Sequence, residues 1–170
     1  MKKPFFSIII PALNEARYLP KLLKDLSAQT FTDFEVIVID GGSKDQTVAL
    51  AQTFSPNLPH LTILSSSRAH VCTQRNLGAK HARADVLIFS DADNRLPSYF
   101  LQGIRYFWEK EGIEILSPQF QPDAPSRANL YIANALNLFF EMTLNIKPRY
   151  LLESMIVVLK QAFLSVGGFD

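Results

Sequence analysis

The chain has 170 residues, 48% hydrophobic and 19% charged, which is the composition of an ordinary globular protein with one sizeable core. Its formal net charge of +1 excludes a strong long-range attraction to nucleic acid or anionic lipid, so no nucleic-acid partner is expected. Cys72 is the only cysteine, which excludes an internal disulfide and favours a cytoplasmic location.

Apolar runs and helical patterns alternate along the chain. The runs that predict β-strands lie at residues 5–10, 35–39, 61–64, 86–89 and 113–116. They lack polar alternation, as expected for parallel strands that are covered on both faces. The first helical pattern consists of Leu19, Leu22, Leu23 and Leu26, and further patterns follow near positions 43, 73 and 97. This order predicts an α/β fold with a mostly parallel sheet and helices on both faces.

The N-terminal apolar run is too short for a signal peptide, because Asn14 and Glu15 follow it closely. No run reaches the roughly 20 apolar residues of a membrane-spanning helix. A cytoplasmic protein is therefore expected, with a peripheral membrane contact as the alternative discussed below for residues 129–147.

Residues 129–147 combine an apolar helical surface with one narrow polar stripe. The stripe consists of Asn134, Asn137, Glu141 and Asn145. A helix this apolar is expected to be buried in the core or in a homo-oligomer contact. The alternative is an exposed surface for a partner subunit, a lipid-linked ligand or a membrane. The lack of Lys and Arg on the stripe argues against an anionic membrane.

Polar residues directly follow three of the predicted strands. Asn14 and Glu15 follow the first, residues 40–43 (Asp-Gly-Gly-Ser) follow the second, and residues 91–93 (Asp-Ala-Asp) follow the fourth. The carboxyl ends of parallel strands meet at one edge of a sheet, where ligands bind in open α/β folds. We therefore expect these three clusters to converge on one site.

Asp91 and Asp93 are the strongest candidates for chemistry. Alternate residues leave a strand on the same side, so the two carboxylates are expected to face one space. Hard oxygen ligands there suit Mg²⁺ or Mn²⁺ shared with a diphosphate. The pair alone also fits a solvated turn. A further alternative is a phosphatase of the haloacid dehalogenase kind with Asp91 as nucleophile, although the following Asn94 and the mid-chain position are untypical of that family.

Four blocks of sequence resemble the family two glycosyltransferases of the GT-A fold. They are residues 7–15 (SIIIPALNE), 36–47 (VIVIDGGSKDQT), 75–79 with 84–93 (RNLGA and ADVLIFSDAD) and 166–170 (VGGFD). The resemblance implies a metal-dependent transfer, with inversion, from a nucleotide-diphosphate sugar, most often a uridine diphosphate sugar. The acceptor is unknown, and a carbohydrate or a lipid-linked molecule would fit.

The resemblance also implies roles for individual residues. Glu15 would lie toward the ribose, Asp40 would bond the base, and Asp93 would ligate Mn²⁺ or Mg²⁺ on the diphosphate. The implied nucleotide-sugar-binding residues are Pro11, Ala12, Glu15, Asp40, Gly42, Arg68, Arg75, Asn76, Asp91 and Ala92. Gly167 and Gly168 would belong to the acceptor side.

The chain departs from the family pattern in one respect that bears on catalysis. The general base of inverting relatives is expected beyond Asp170, so no catalytic base is assigned here. Residues 1–170 are therefore expected to form a single donor-binding domain that is incomplete at its acceptor-side end. The alternative is a donor-binding module that has no base and performs no transfer.

Overall fold

A computed structural model describes residues 2–58, 60–111, 115–118, 126–143 and 154–170. The strands in it are β1 (Phe6–Ala12), β2 (Phe34–Asp40), β3 (Leu61–Ser65), β4 (Val86–Ser90), β5 (Ile115–Leu116) and β6 (Met155–Leu159). The helices are α1 (Leu19–Ser27), α2 (Thr47–Gln52), α3 (Val71–His81), α4 (Phe100–Glu111), α5 (Arg127–Thr143) and α6 (Lys160–Ser165).

The strands form one mixed sheet in the order β3-β2-β1-β4-β6-β5. The first four strands in that order are parallel, whereas β6 is antiparallel to both β4 and β5. The predicted, mostly parallel α/β sheet is therefore confirmed. In the parallel part, β1 lies between β2 and β4, so the ends of these three strands are neighbours.

The apolar runs located the strands but not all their ends. β1 continues through Pro11, which the sheet tolerates because the β1–β4 pairing already stops at Ile9, and beyond it Pro11 has a strand only on the β2 side. The predicted strand at 113–116 is observed at Ile115–Leu116, and residues 113 and 114 lie outside the described residues. β6 was not among the predicted strands, although its Ile-Val-Val core is a β-branched run, which is typical of strands.

Helices cover both faces of the sheet, as predicted. On one face, the α1 leucines 19, 22, 23 and 26 pack with Leu101 of α4 against alternate β1 side chains such as Ile8 and Ile10. On the other face, Ala79 of α3 and Phe163 of α6 pack against Ile9 and Phe89. Successive β1 residues thus enter opposite cores, which is why the strand is apolar at nearly every position.

The expectation that the apolar helix at 129–147 is buried in the core is wrong for the described part, whereas burial in a homo-oligomer contact stays a prediction. The helix forms as α5, but Tyr131 is 77% exposed and Ile132 is 59% exposed, while Ala133 is buried. Leu130, Leu136 and Leu138 are also exposed. Glu141 and Asn145 of the predicted stripe lie outside the side chains that the structure describes. The described part of α5 therefore presents apolar side chains to solvent.

None of the helices in the described ranges is long and apolar enough to cross a membrane.

Candidate functional site

The carboxyl ends of β1 and β2 are joined by a buried glutamine. Gln74 of α3 donates from its side-chain amide to the carbonyl of Ala12 (3.0 Å) and to that of Ile39 (2.7 Å). The Gly41 amide donates to the same Ala12 carbonyl at 2.8 Å. These bonds satisfy backbone groups that the ending strands would otherwise leave buried and unpaired. Gln74 was not predicted to be a site residue, because nothing in the local sequence pattern distinguishes it from a helix residue that faces solvent.

The loops that follow β1 and β2 are tied to each other. The Asn14 amide donates to Ser43 Oγ (2.9 Å), and Asn14 Oδ1 accepts from the Lys44 amide (2.8 Å). The Glu15 amide donates to Thr47 Oγ1 (2.7 Å). Asn14 adopts φ of 58°, a left-handed conformation that asparagine tolerates better than most residues. The backbone that presents Glu15 is therefore fixed by the second loop.

Asp45 reinforces this connection. Its carboxylate accepts from the Thr47 hydroxyl (2.5 Å), the Thr47 amide (3.0 Å) and the Ala16 amide (3.2 Å). The Thr47 hydroxyl, followed by these amides, holds the pKa of Asp45 below its ordinary value. Neither Asp45 nor Thr47 was singled out from the sequence as a site residue.

Asp40 shapes the turn that follows β2. Its carboxylate accepts hydrogen bonds from the amides of Gly42 (3.0 Å) and Ser43 (3.1 Å), and the side chain is buried. Gly42 has φ of 93°, which a glycine adopts at little cost, and an added Cβ would meet no atom within 4 Å. The structure thus places Asp40 and Gly42 at the expected strand end. The role of Asp40 toward a base stays a prediction.

Asp91 is held by a buried arginine. Nη2 of Arg75 lies 2.8 Å from Asp91 Oδ1, and Arg75 is only 4% exposed. The Asp91 amide donates to the carbonyl of Ser154 (3.0 Å), which also accepts from the Asn94 side chain (2.7 Å). Asn94 therefore anchors the loop to the residue before β6.

Ala92 and Asp93 complete the loop after β4. Ala92 is buried in the core, whereas Asp93 is exposed and Asp91 is partly exposed. The two aspartates are therefore accessible to solvent while the residue between them packs into the core, and their expected approach to one shared ligand stays a prediction.

Glu15 shows that the three strand ends converge. Partial burial raises the pKa of Glu15, and the negative charges of Asp93, Asp45 and Asp91 raise it further. These carboxylates come from the loops after β1, β2 and β4, which are adjacent parallel strands, so the three loops follow neighbouring ends at one edge of the sheet. The convergence expected from the sequence is thus observed in the structure.

We expect Glu15→Gln to stabilise the metal-free protein, because the substitution removes this repulsion. The raised pKa means that the folded state binds the Glu15 proton more tightly than the unfolded state does. Stability is therefore lost as pH rises from the ordinary value of 4.5 through the raised pKa. The variant should melt about 1–3 °C higher at pH 8 and at the same temperature as the parent below pH 4. Thermal unfolding at both pH values checks this, and an equal difference at both would contradict it.

The remaining predicted site residues lie in several places. Pro11 is buried at the end of β1 next to Ala12, and Arg68 is exposed in the loop after β3. Both polar atoms of the Asn76 side chain bond the backbone of Phe169, and the role of Asn76 at the nucleotide stays a prediction. Gly167 and Gly168 have φ of 89° and 87° in the segment that follows α6.

The carboxylates fit a divalent cation that is shared with a ligand. Within the described ranges, no group of three or more His, Cys, Asp or Glu side chains could hold a metal alone. Mg²⁺ is commonly bound by only one or two carboxylates together with substrate phosphates. Mutual repulsion at Glu15 is what a bound cation would relieve. The residues therefore suit a metal ion whose remaining coordination positions are filled by a diphosphate.

Comparison with known families identifies one match over most of the chain. The family described as "Glycosyl transferase family 2" matches residues 7–155. A Mycobacterium tuberculosis protein named PGL/p-HBAD biosynthesis glycosyltransferase is 42% identical over 97 residues, which cover 56% of this chain and 38% of that protein. An uncharacterized glycosyltransferase of Haemophilus influenzae is 26% identical over 96% of this chain and 56% of its own length.

Solved structures share the fold. S. aureus TarS 1-349 in complex with UDP has a TM-score of 0.78 at 22% identity, with coverage of 97% of this chain and 49% of TarS 1-349. The mannosyltransferase PcManGT from Pyrobaculum calidifontis, in complex with GDP-Man and Mn²⁺, has a TM-score of 0.77 at 19% identity. That match covers 100% of this chain and 48% of PcManGT. The chain thus spans about half the length of such proteins.

Proposed function

The chain belongs to glycosyl transferase family 2 and has the GT-A fold, and on this basis we propose that it binds the donor of a metal-dependent, inverting glycosyl transfer. The single observation that supports this most is the convergence of Glu15, Asp91 and Asp93 at the carboxyl ends of β1 and β4. In this proposal residues 1–170 form one donor-binding domain. The donor is a nucleotide-diphosphate sugar, with uridine diphosphate as the first nucleotide to test.

The proposed donor contacts are those that the resemblance to the family implies for these residues. Glu15 and Asp91 approach the ribose, and the fixed turn at Asp40 and Gly42 lies toward the base. Arg68, exposed in the loop after β3, reaches the base and phosphates. The backbone of Pro11 and Ala12 supports the nucleoside.

Asp93 is the proposed metal ligand. It is exposed, and its negative charge is close enough to Glu15 to raise the pKa of that side chain. A diphosphate cannot approach this cluster unaided, since like charges repel. A bound Mn²⁺ or Mg²⁺ would neutralise the phosphates and stabilise the charge that develops on the leaving nucleoside diphosphate. The role of the protein is to hold the carboxylates in position, and Arg75 does this for Asp91 through their ion pair.

Calorimetric titration with uridine diphosphate tests the proposal, first with Mn²⁺ and then with a chelator. We expect binding only with the metal, and guanosine diphosphate serves as the comparison nucleotide. Binding of neither nucleotide under either condition would contradict the proposed donor site. Binding that persists in the chelator would contradict the role given to the metal.

The alternative of a donor-binding module differs from the enzyme only in turnover. Transfer or hydrolysis of a bound donor sugar, measured as nucleotide release, would exclude the module. The phosphatase alternative needs Asp91 as a nucleophile, whereas the structure engages its Oδ1 with Arg75. Family membership also favours glycosyl transfer.

The acceptor side of the proposal rests on less of the chain. Gly167 and Gly168 lie at the segment assigned to it, and the exposed apolar side chains of α5 would suit a lipid-linked acceptor or a second copy better than the protein's own core.

A further inference from the structure

Three consecutive side chains of α3 contact three separate parts of the molecule. Gln74 bonds the ends of β1 and β2, Arg75 bonds Asp91, and Asn76 bonds Phe169 near the end of the chain. One short stretch of helix therefore lies between the proposed donor carboxylates and the segment 166–170.

Asn76 holds Phe169 with two hydrogen bonds. Its Nδ2 donates to the Phe169 carbonyl (2.7 Å), and its Oδ1 accepts from the Phe169 amide (3.0 Å). The approach is close, because a Cβ on Gly168 would lie 2.6 Å from Asn76 Oδ1. Since both bonds go to backbone atoms, they fix the position of the Phe169 residue without depending on its side chain.

The Phe169 ring in turn contacts the arginine that holds Asp91. The Arg75 guanidinium carbon lies 5.2 Å from the ring centroid, within the range of a cation–π contact. The same ring packs against Phe89 and Phe163, with ring centroids 5.1 Å and 5.2 Å away. These contacts restrict the movement of the Phe169 ring relative to Arg75. Contacts therefore run without a gap from Asn76 to Phe169, to Arg75 and to Asp91.

We propose that Asn76 and Phe169 are positioning residues that couple the segment 166–170 to the donor carboxylate Asp91 through Arg75. The effect of this coupling on donor binding rests on the proposed donor site. Displacement of Phe169 removes the ring from beside the guanidinium, and Asp91 then loses its fixed partner. Because coupling between two sites is reciprocal, ordering of the acceptor-side segment and donor binding would strengthen each other.

Phe169→Leu tests the coupling, with Phe163→Leu as the matched control. Both substitutions remove a ring from the cluster around Phe89, and of these two rings Phe169 is the one that makes the cation–π contact with Arg75. We expect Phe169→Leu to raise the dissociation constant for uridine diphosphate with Mn²⁺ about fivefold, and Phe163→Leu to change it less than about twofold. Phe169→Tyr, which retains the ring, should bind like the parent.

Asn76→Ala should reproduce the effect of Phe169→Leu, since it releases the same residue. The double variant should then bind no more weakly than either single one, which is the non-additivity expected of one connected path. Equal losses in Phe169→Leu and Phe163→Leu, or additive losses in the double variant, would overturn the proposal.

Amide hydrogen exchange of residues 86–95, measured without nucleotide, keeps the two proposals separate. Exchange in this segment should be about fivefold faster in Phe169→Leu than in Phe163→Leu, because Asp91 is less well held. If the parent binds no nucleotide, the donor site fails, while the exchange measurement still decides the coupling. Identical exchange in the two variants would contradict the coupling even if the nucleotide binds.

Discussion

Replacement of Asp93 by alanine is expected to raise the dissociation constant for uridine diphosphate about 100-fold in the presence of Mn²⁺, and to leave the fold intact. The side chain is exposed and its charge raises the pKa of Glu15, so its removal relieves repulsion instead of breaking a buried contact. The variant loses the carboxylate oxygen that would complete the coordination of a metal ion bound between the protein and the diphosphate. Calorimetry gives the dissociation constant, and thermal unfolding confirms that the fold persists.

Asp85→Ala is the matched control for this prediction. Asp85 is an exposed aspartate directly before β4, whereas Asp93 follows the other end of that strand, and Asp85 pairs with Lys3. An exposed ion pair contributes little, so this variant should bind the nucleotide like the parent and unfold within about 2 °C of it. If Asp93→Ala binds as tightly as the parent with Mn²⁺ present, Asp93 is not the metal ligand.

Gly78→Ala is expected to destabilise the protein by about 2 kcal/mol and to lower its melting temperature by about 5 °C. Gly78 is where α3 packs closest to the sheet. A Cβ there would lie 2.4 Å from Ile9 Cγ2 and 2.7 Å from Ile39 Cδ1, and both isoleucines are fully buried. The helix must move away from β1 and β2 to accept the methyl group. Because Gln74 and Arg75 lie on the same helix, nucleotide binding should weaken as well.

Gly103→Ala provides the control, since it makes the same change in α4. No atom lies within 4 Å of a Cβ added at Gly103. Alanine is the better helix former, so this variant should gain about 0.5–1 kcal/mol and melt a few degrees higher. Opposite shifts of the two variants, measured by thermal unfolding, are the expected result. Shifts of the same sign and size would show that α3 is not packed as tightly as the structure indicates.

Much of the fold followed from local sequence patterns. The leucines of α1 repeat at helical spacing and are all buried, and the apolar runs of β1, β2 and β4 became the central strands. The polar residues that end those runs marked the edge of the sheet where the carboxylates meet. These predictions succeeded because burial on one helix face, or on both faces of a strand, is encoded within the segment itself.

The failures concern features that no single segment encodes. The apolar pattern of α5 predicted burial, but whether a neighbouring element covers a helix depends on the rest of the fold, and the described part is exposed. β6 has an ordinary strand sequence, yet its antiparallel position between β4 and β5 follows from sheet topology rather than from its residues. The nucleotide-binding roles of Arg75 and Asn76 stay predictions, and the bonds of Asn76 to the Phe169 backbone had no signal in the local sequence.

The sequence by itself determined most of the strands and helices, and that three acidic clusters would share one edge of the sheet. Only the tertiary structure decided how that edge is held, through Gln74 and Arg75 of α3, and what the neighbouring Asn76 bonds. Their partners lie far away in the chain: Asn76 bonds a residue 93 positions later, and Gln74 bonds one 62 positions earlier. A polar side chain on a helix has the same local pattern whether it bonds water or a distant backbone group, so its role depends on what the packed sheet brings beside it.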